Sequence, residues 1–121
     1  MTRILIHEPV EYHEACRSAL VGKGSDVISC HDREALVNAL GRQRPDVIIY
    51  VIQRLSDDLP LLAHLRRVAP TMPIILLGGP TDLTERRAIQ ELKPTYYGVL
   101  PLEESELNDA VRGALHRSSR G

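Results

Sequence analysis

The chain has 121 residues, 43% of them hydrophobic, with four Tyr and neither Phe nor Trp. Its 15 Lys and Arg nearly balance 16 Asp and Glu, which argues against a protein that grips phosphate backbones through a basic excess, and so few aromatics leave little for stacking bases. The length suits one domain whose aliphatic core needs neither metals nor disulfides, and the apolar fraction excludes a disordered chain.

Short apolar runs alternate with amphipathic stretches throughout. Arg3 to His7 reads as a first strand. From Pro9 to Leu20, Tyr12, Cys16, Ala19 and Leu20 recur at helical spacing, with Gly22 and Gly24 as stop signals. Asp26 to Cys30 is a second, weaker strand. Asp32 is a good N-cap for a helix with Ala35, Leu36, Ala39 and Leu40 on its inner face, and Gly41 is its expected end. Pro45 and Asp46 break into the strand Val47 to Ile52. Ser56, Asp57 and Asp58 precede a helix with Pro60 in its first turn and Leu61, Leu62, Leu65 and Val68 inward. Pro70 and Pro73 frame a turn into the strand Ile74 to Leu77, and Gly78-Gly79-Pro80 is a loop. Thr81 or Asp82 caps a helix through Leu83, Ala88, Ile89 and Leu92. Tyr96 to Leu100 is a fifth strand. Glu103 to His116 is a last helix, with Leu107, Val111, Ala114 and Leu115 inward. The expected division is a domain over 1–117 and a tail or linker stub over 118–121.

No apolar run approaches the ~20 residues of a membrane span, and His7-Glu8 interrupts the N-terminal run too early for a secretory signal. Two Cys imply no disulfide framework. The expectation is a cytoplasmic protein without membrane contact or direct nucleic-acid binding.

Five βα units in succession specify an α/β fold of three layers, a doubly wound five-stranded parallel sheet with helices on both faces. Right-handed crossovers favour the flavodoxin-like order 2-1-3-4-5, with any site beyond the carboxyl ends of strands 1 and 3. Over Arg3 to His116 the sequence resembles the CheY-like receiver domains of two-component response regulators. The resemblance rests on Arg-Ile-Leu-Ile-x-Glu-Pro at the start, Arg44-Pro45-Asp46-Val47-Ile48-Ile49, Pro73-Ile74-Ile75-Leu76-Leu77 and Tyr97-Gly98-Val99-Leu100-Pro101-Leu102, in order and at receiver spacing.

That resemblance implies a site of five groups: two acids after the first strand, a phosphoacceptor Asp ending the third, a hydroxyl ending the fourth and a Lys ending the fifth. The acids and the acceptor hold Mg²⁺, and the acceptor takes a phosphoryl group from a histidine kinase. Carried onto this chain, the acid pair falls on His7 and Glu8, the acceptor on Val51, the hydroxyl on Gly78 and the lysine on Leu100. Only Glu8 keeps suitable chemistry. The expectation is a degenerate pseudo-receiver, not an enzyme, with no cofactor and weak or absent Mg²⁺ binding. The resemblance also makes Tyr97 the switch aromatic, here turned inward and static, and implies a cis bond before Pro101. Lys93-Pro94 departs from the family's small pair, so that turn is expected to be repositioned.

Other residues have plainer readings. Asp57 and Asp58, past Val51, read as N-caps rather than displaced acceptors. His7 reads as an imidazole hydrogen-bonded at the sheet mouth. His13, Cys16, Cys30 and His31 lack close metal-ligand spacing, so no metal site is assigned, and His64 reads as an exposed helical residue. The resemblance points to protein partners, a homodimer among them, through the face of the last two helices and last strand. Glu85, Arg86, Arg87, Gln90, Glu91, Glu106, Asn108, Asp109 and Arg112 lie on that face. The alternative is a small-molecule sensor using the altered pocket. Neither an output domain nor a kinase partner is identifiable from the sequence.

Overall fold

The computed structural model describes residues 2–8 and 25–120. The helix expected over Pro9 to Leu20, with His13 and Cys16, and the stop signals Gly22 and Gly24 lie outside the described residues.

The described elements are β1 (Thr2–His7), β2 (Ser25–Cys30), α1 (Arg33–Gln43), β3 (Val47–Val51), α2 (Leu55–Val68), β4 (Ile74–Gly78), α3 (Leu83–Glu91), β5 (Tyr96–Val99) and α4 (Glu104–Arg120). The strands form one parallel sheet in the order β2-β1-β3-β4-β5. A parallel sheet of this kind must be covered on both faces, and its central strands show it: every residue of β3 and β4 is buried.

Because side chains alternate across a strand, each strand feeds two cores. Ile4, Ile6, Val47, Ile49, Val51, Ile75 and Leu77 pack with Leu107, Val111 and Ala114 of α4. Leu5, Ile48, Tyr50, Ile74 and Leu76 pack on the opposite face with Leu36 of α1, Leu61, Leu62 and Leu65 of α2, and Ile89 of α3. Aliphatic side chains fill both layers, which is how a chain without Phe or Trp closes its core.

Several boundaries differ from the sequence reading. Gly41 does not end α1, which continues to Gln43 and stops where Arg44 turns left-handed at φ 47°. The start of that helix is as expected, the Asp32 carboxylate accepting from Ala35 N at 2.7 Å. α2 begins at Leu55 with Arg54 at its N-cap, so Asp57 and Asp58 lie inside the first turn rather than before it. Asp82, not Thr81, caps α3 and forms a reciprocal capping box with Glu85. Val68, expected inward, is exposed: it is the last residue of α2, where the buried face has already turned away. The last helix runs past His116 to Arg120. Lys93, in the turn after α3, takes a positive φ of 53°.

Candidate functional site

The carboxyl ends of β1, β3, β4 and β5 meet at one edge of the sheet. Backbone bonds continue the strands there: Glu8 N donates to Cys30 O (3.1 Å), Ile52 N to Leu77 O (2.7 Å) and Leu100 N to Gly78 O (2.8 Å). The sheet therefore brings His7, Glu8, Val51, Gly78 and Leu100, scattered over the sequence, to the same edge.

Their side chains divide between the two faces. Val51 is 2% exposed and belongs to the core under α4, and the half-buried Leu100 packs against that same cluster. Two of the five positions thus join the hydrophobic core. Gly78 leaves room for an aromatic ring: a Cβ there would lie 2.8 Å from the Tyr97 hydroxyl. That hydroxyl donates to Gly79 O at 2.7 Å, so Tyr97 is turned toward the end of β4 and held there. Burial, with a smaller effect of Glu85, pushes its phenol above the ordinary value. The Leu100–Pro101 peptide is cis.

On the opposite face His7 stacks on Tyr50, its register partner in β3, with ring centroids 4.4 Å apart and planes at 17°. The Tyr50 hydroxyl donates to Asp58 Oδ1 at 2.7 Å. Asp58 Oδ2 accepts from the backbone N–H of Gln53 at 3.1 Å and of Arg54 at 3.4 Å. This corrects the capping assignment, because Asp58 reaches backward from the first turn to hold the β3–α2 loop and the end of β3. Asp57 is exposed, beside Arg54 at 3.7 Å. Burial holds the Tyr50 phenol protonated by pushing its pKa far up, reinforced by the Asp58 bond. Burial also lowers the His7 pKa, against the opposing pull of Asp58 and Asp32. Among the described residues His7 Nδ1 is buried with no hydrogen-bond partner, and the contact seen for the imidazole is its stack on Tyr50.

Glu8 is fully buried, and its carbonyl accepts from His31 Nδ1 at 3.1 Å. Among the described residues no three His, Cys, Asp or Glu side chains gather closely enough to share a metal ion. Sequence reading missed the His7–Tyr50–Asp58 arrangement. Its one signal was a tyrosine inside the otherwise aliphatic strand Val47–Val51.

The outer face of α3, β5 and α4 places Arg86, Arg87, Gln90, Glu91, Glu106, Asp109 and Arg112 at the surface, with Asn108 half-buried. Glu85 is drawn into the capping box, accepting from Asp82 N at 3.1 Å. Arg112 pairs with Asp109 of its own helix at 3.5 Å. Val99, on the edge strand β5, is an exposed hydrophobic among these charges. No helix among the described residues is long and apolar enough to cross a membrane.

No family model matches this sequence. The chain is 30% identical over 95 residues to the probable transcriptional regulator ycf27 of Porphyridium aerugineum, covering 78% of this chain and 39% of that protein. It is 25% identical over 117 residues to the probable transcriptional regulator ycf27 of Guillardia theta, covering 97% and 46%. It spans less than half the length of either relative. Among solved structures it is similar to a CheY-like response regulator receiver domain protein of Methanospirillum hungatei JF-1, with a TM-score of 0.88, 16% identity, and coverage of 99% of this chain and 98% of that one.

Proposed function

We propose that this chain, which carries the fold of CheY-like response-regulator receiver domains, signals by protein–protein contact without taking up a phosphoryl group. The observation that carries this reading is Val51. It ends β3 where the family resemblance requires a nucleophilic carboxylate, and it is packed in the same apolar cluster as Leu100, which stands at the lysine position. An isopropyl group offers no atom for acyl phosphate formation. An imidazole, one carboxylate and a valine do not fit Mg²⁺, which demands near-octahedral oxygen ligation.

The ends of β4 and β5 support the same reading. Tyr97 fills the space over Gly78 with its own hydroxyl bonded to Gly79 O, which favours an interaction module over a sensor using that pocket. The mixed-charge face around Val99 is the surface we assign to a protein partner, a second copy of this chain included. The outcome we attach to such contacts is control of transcription, because both relatives described above are probable transcriptional regulators.

Incubation with acetyl phosphate and Mg²⁺ followed by intact mass tests the first half. No adduct of ~80 Da, the mass of a phosphoryl group, is expected. An adduct on Asp57 or Asp58 would overturn the reading. Sedimentation over a concentration series tests the second half: a concentration-dependent dimer that Val99→Arg dissociates is expected, and a monomer at every concentration removes the homodimer.

A further inference from the structure

At the opposite end of the sheet from these residues, a groove of about 400 Å³ opens between the C-terminal halves of α1 and α2. Val37 and Leu40 of α1 form one wall, Leu65 and Val68 of α2 the other, and Pro45 and Met72, just before β3 and β4, line it as well. Its size falls in the range of small-molecule pockets, ~300–1,000 Å³. Four large hydrophobics are exposed among the described residues, and two of them, Val37 and Val68, line this groove.

The polar residues of the lining are one-sided. Arg44 and His64 contribute to it, and no Asp or Glu does. Among the described residues neither side chain has a hydrogen bond or ion pair. Arg44 occupies a left-handed backbone position where glycine is the favoured helix terminator. The groove thus has apolar walls and, at a helix end, an exposed arginine with no ion pair among the described residues, which is the complement of an apolar body carrying a carboxylate.

We propose that this groove binds a small amphipathic carboxylate, with its apolar chain between the α1 and α2 walls and its charge on Arg44. The ligand class is an aliphatic or aryl acid, not a cation and not a phosphate ester.

The test is an amide NMR titration of the intact chain with hexanoate, octanoate and decanoate, with octylammonium as the charge-reversed probe. Shifts confined to residues 37–45 and 64–72 are expected. Affinity should rise by up to about fifteenfold for each two methylenes, the conversion of ~0.8 kcal/mol per buried CH₂. Arg44→Gly suits the left-handed position and keeps the fold, yet should weaken octanoate about threefold or more. Val68→Asp, at an exposed position, should remove binding. Shifts absent from this region, octylammonium binding as well as octanoate, or affinity unchanged in Arg44→Gly would overturn the proposal.

Discussion

The imidazole of His7 lies against the phenol of Tyr50 at a centroid distance of 4.4 Å, nearly parallel to it. Burial penalises the charged form of His7, so its pKa in the folded chain is below the ordinary 6.5. The unfolded chain then binds more protons, and stability rises with pH through that interval. The contribution is fully present above the unfolded value and is lost as pH falls through the folded one. Asp58 and Asp32 pull in the opposite direction and His31 in the same direction as burial, which limits the slope. Thermal melts between ~pH 5 and 7 should show a falling Tm on acidification. His7→Phe, which keeps the ring and removes the titration, should flatten that part of the curve.

Asp57 and Asp58 are sequence neighbours with different work. Asp58 accepts from Tyr50 and two backbone N–H groups, whereas Asp57 only approaches an exposed Arg54. Hydrogen bonds to a charged group contribute ~1.5–3 kcal/mol, and an exposed ion pair ~0–1 kcal/mol. Denaturant unfolding should place Asp58→Ala about 2 kcal/mol below the parent chain and Asp57→Ala within ~1 kcal/mol of it. Equal losses would refute the bridging role of Asp58.

Gly78 and Tyr97 share one space. A Cβ at Gly78 would lie 2.8 Å from the Tyr97 hydroxyl and 3.4 Å from Ile52 Cβ, so Gly78→Ala must displace the ring from its bond to Gly79 O. The atom in the way is the far end of a half-buried side chain, so the cost is chiefly the lost hydrogen bond, ~0.5–1.5 kcal/mol. Tyr97→Phe removes the clashing oxygen, and the double variant should recover part of the loss. A double-mutant cycle measures it, with a coupling of ~0.5 kcal/mol or more expected and strict additivity counting against the shared space.

Arg66 is the tie between two helix ends. Its Nε donates to Leu92 O at 2.8 Å and its Nη2 to Lys93 O at 3.1 Å, just beyond α3. Its Nη1 faces Ala69 O, Pro70 O and Met72 O at 3.2, 3.0 and 2.8 Å, just beyond α2. A planar fork can serve both sets at once, and an ammonium cannot. Arg66→Ala should cost about 2 kcal/mol or more in denaturant unfolding, with carbonyls left unpaired at both helix ends. Arg66→Lys should recover only a minor part.

The sheet order was legible in the sequence because it depends on repeated local signals: five apolar runs separated by amphipathic stretches, joined by crossovers of one hand. The apolar character of Val51 and Leu100 was equally legible, since a side chain's chemistry needs no coordinates. Helix ends were read less well, because Gly41 and the Asp57-Asp58 pair satisfy local stop and cap rules that tertiary contacts override. Asp58 finds a better set of donors in Tyr50 and the loop before it, and the helix expected to end at Gly41 stops instead at a left-handed Arg44.

By itself, then, the sequence determined the architecture, which follows from periodicity, and the apolar character of Val51 and Leu100, which follows from residue type. Only the tertiary structure decided what gathers at the carboxyl ends of the strands: a valine and a leucine in one core cluster, a tyrosine over a glycine, and a histidine stacked against a second tyrosine. It also decided the groove at the far end of the sheet. These depend on which side chains from distant segments share a volume, and spacing along the chain does not encode that.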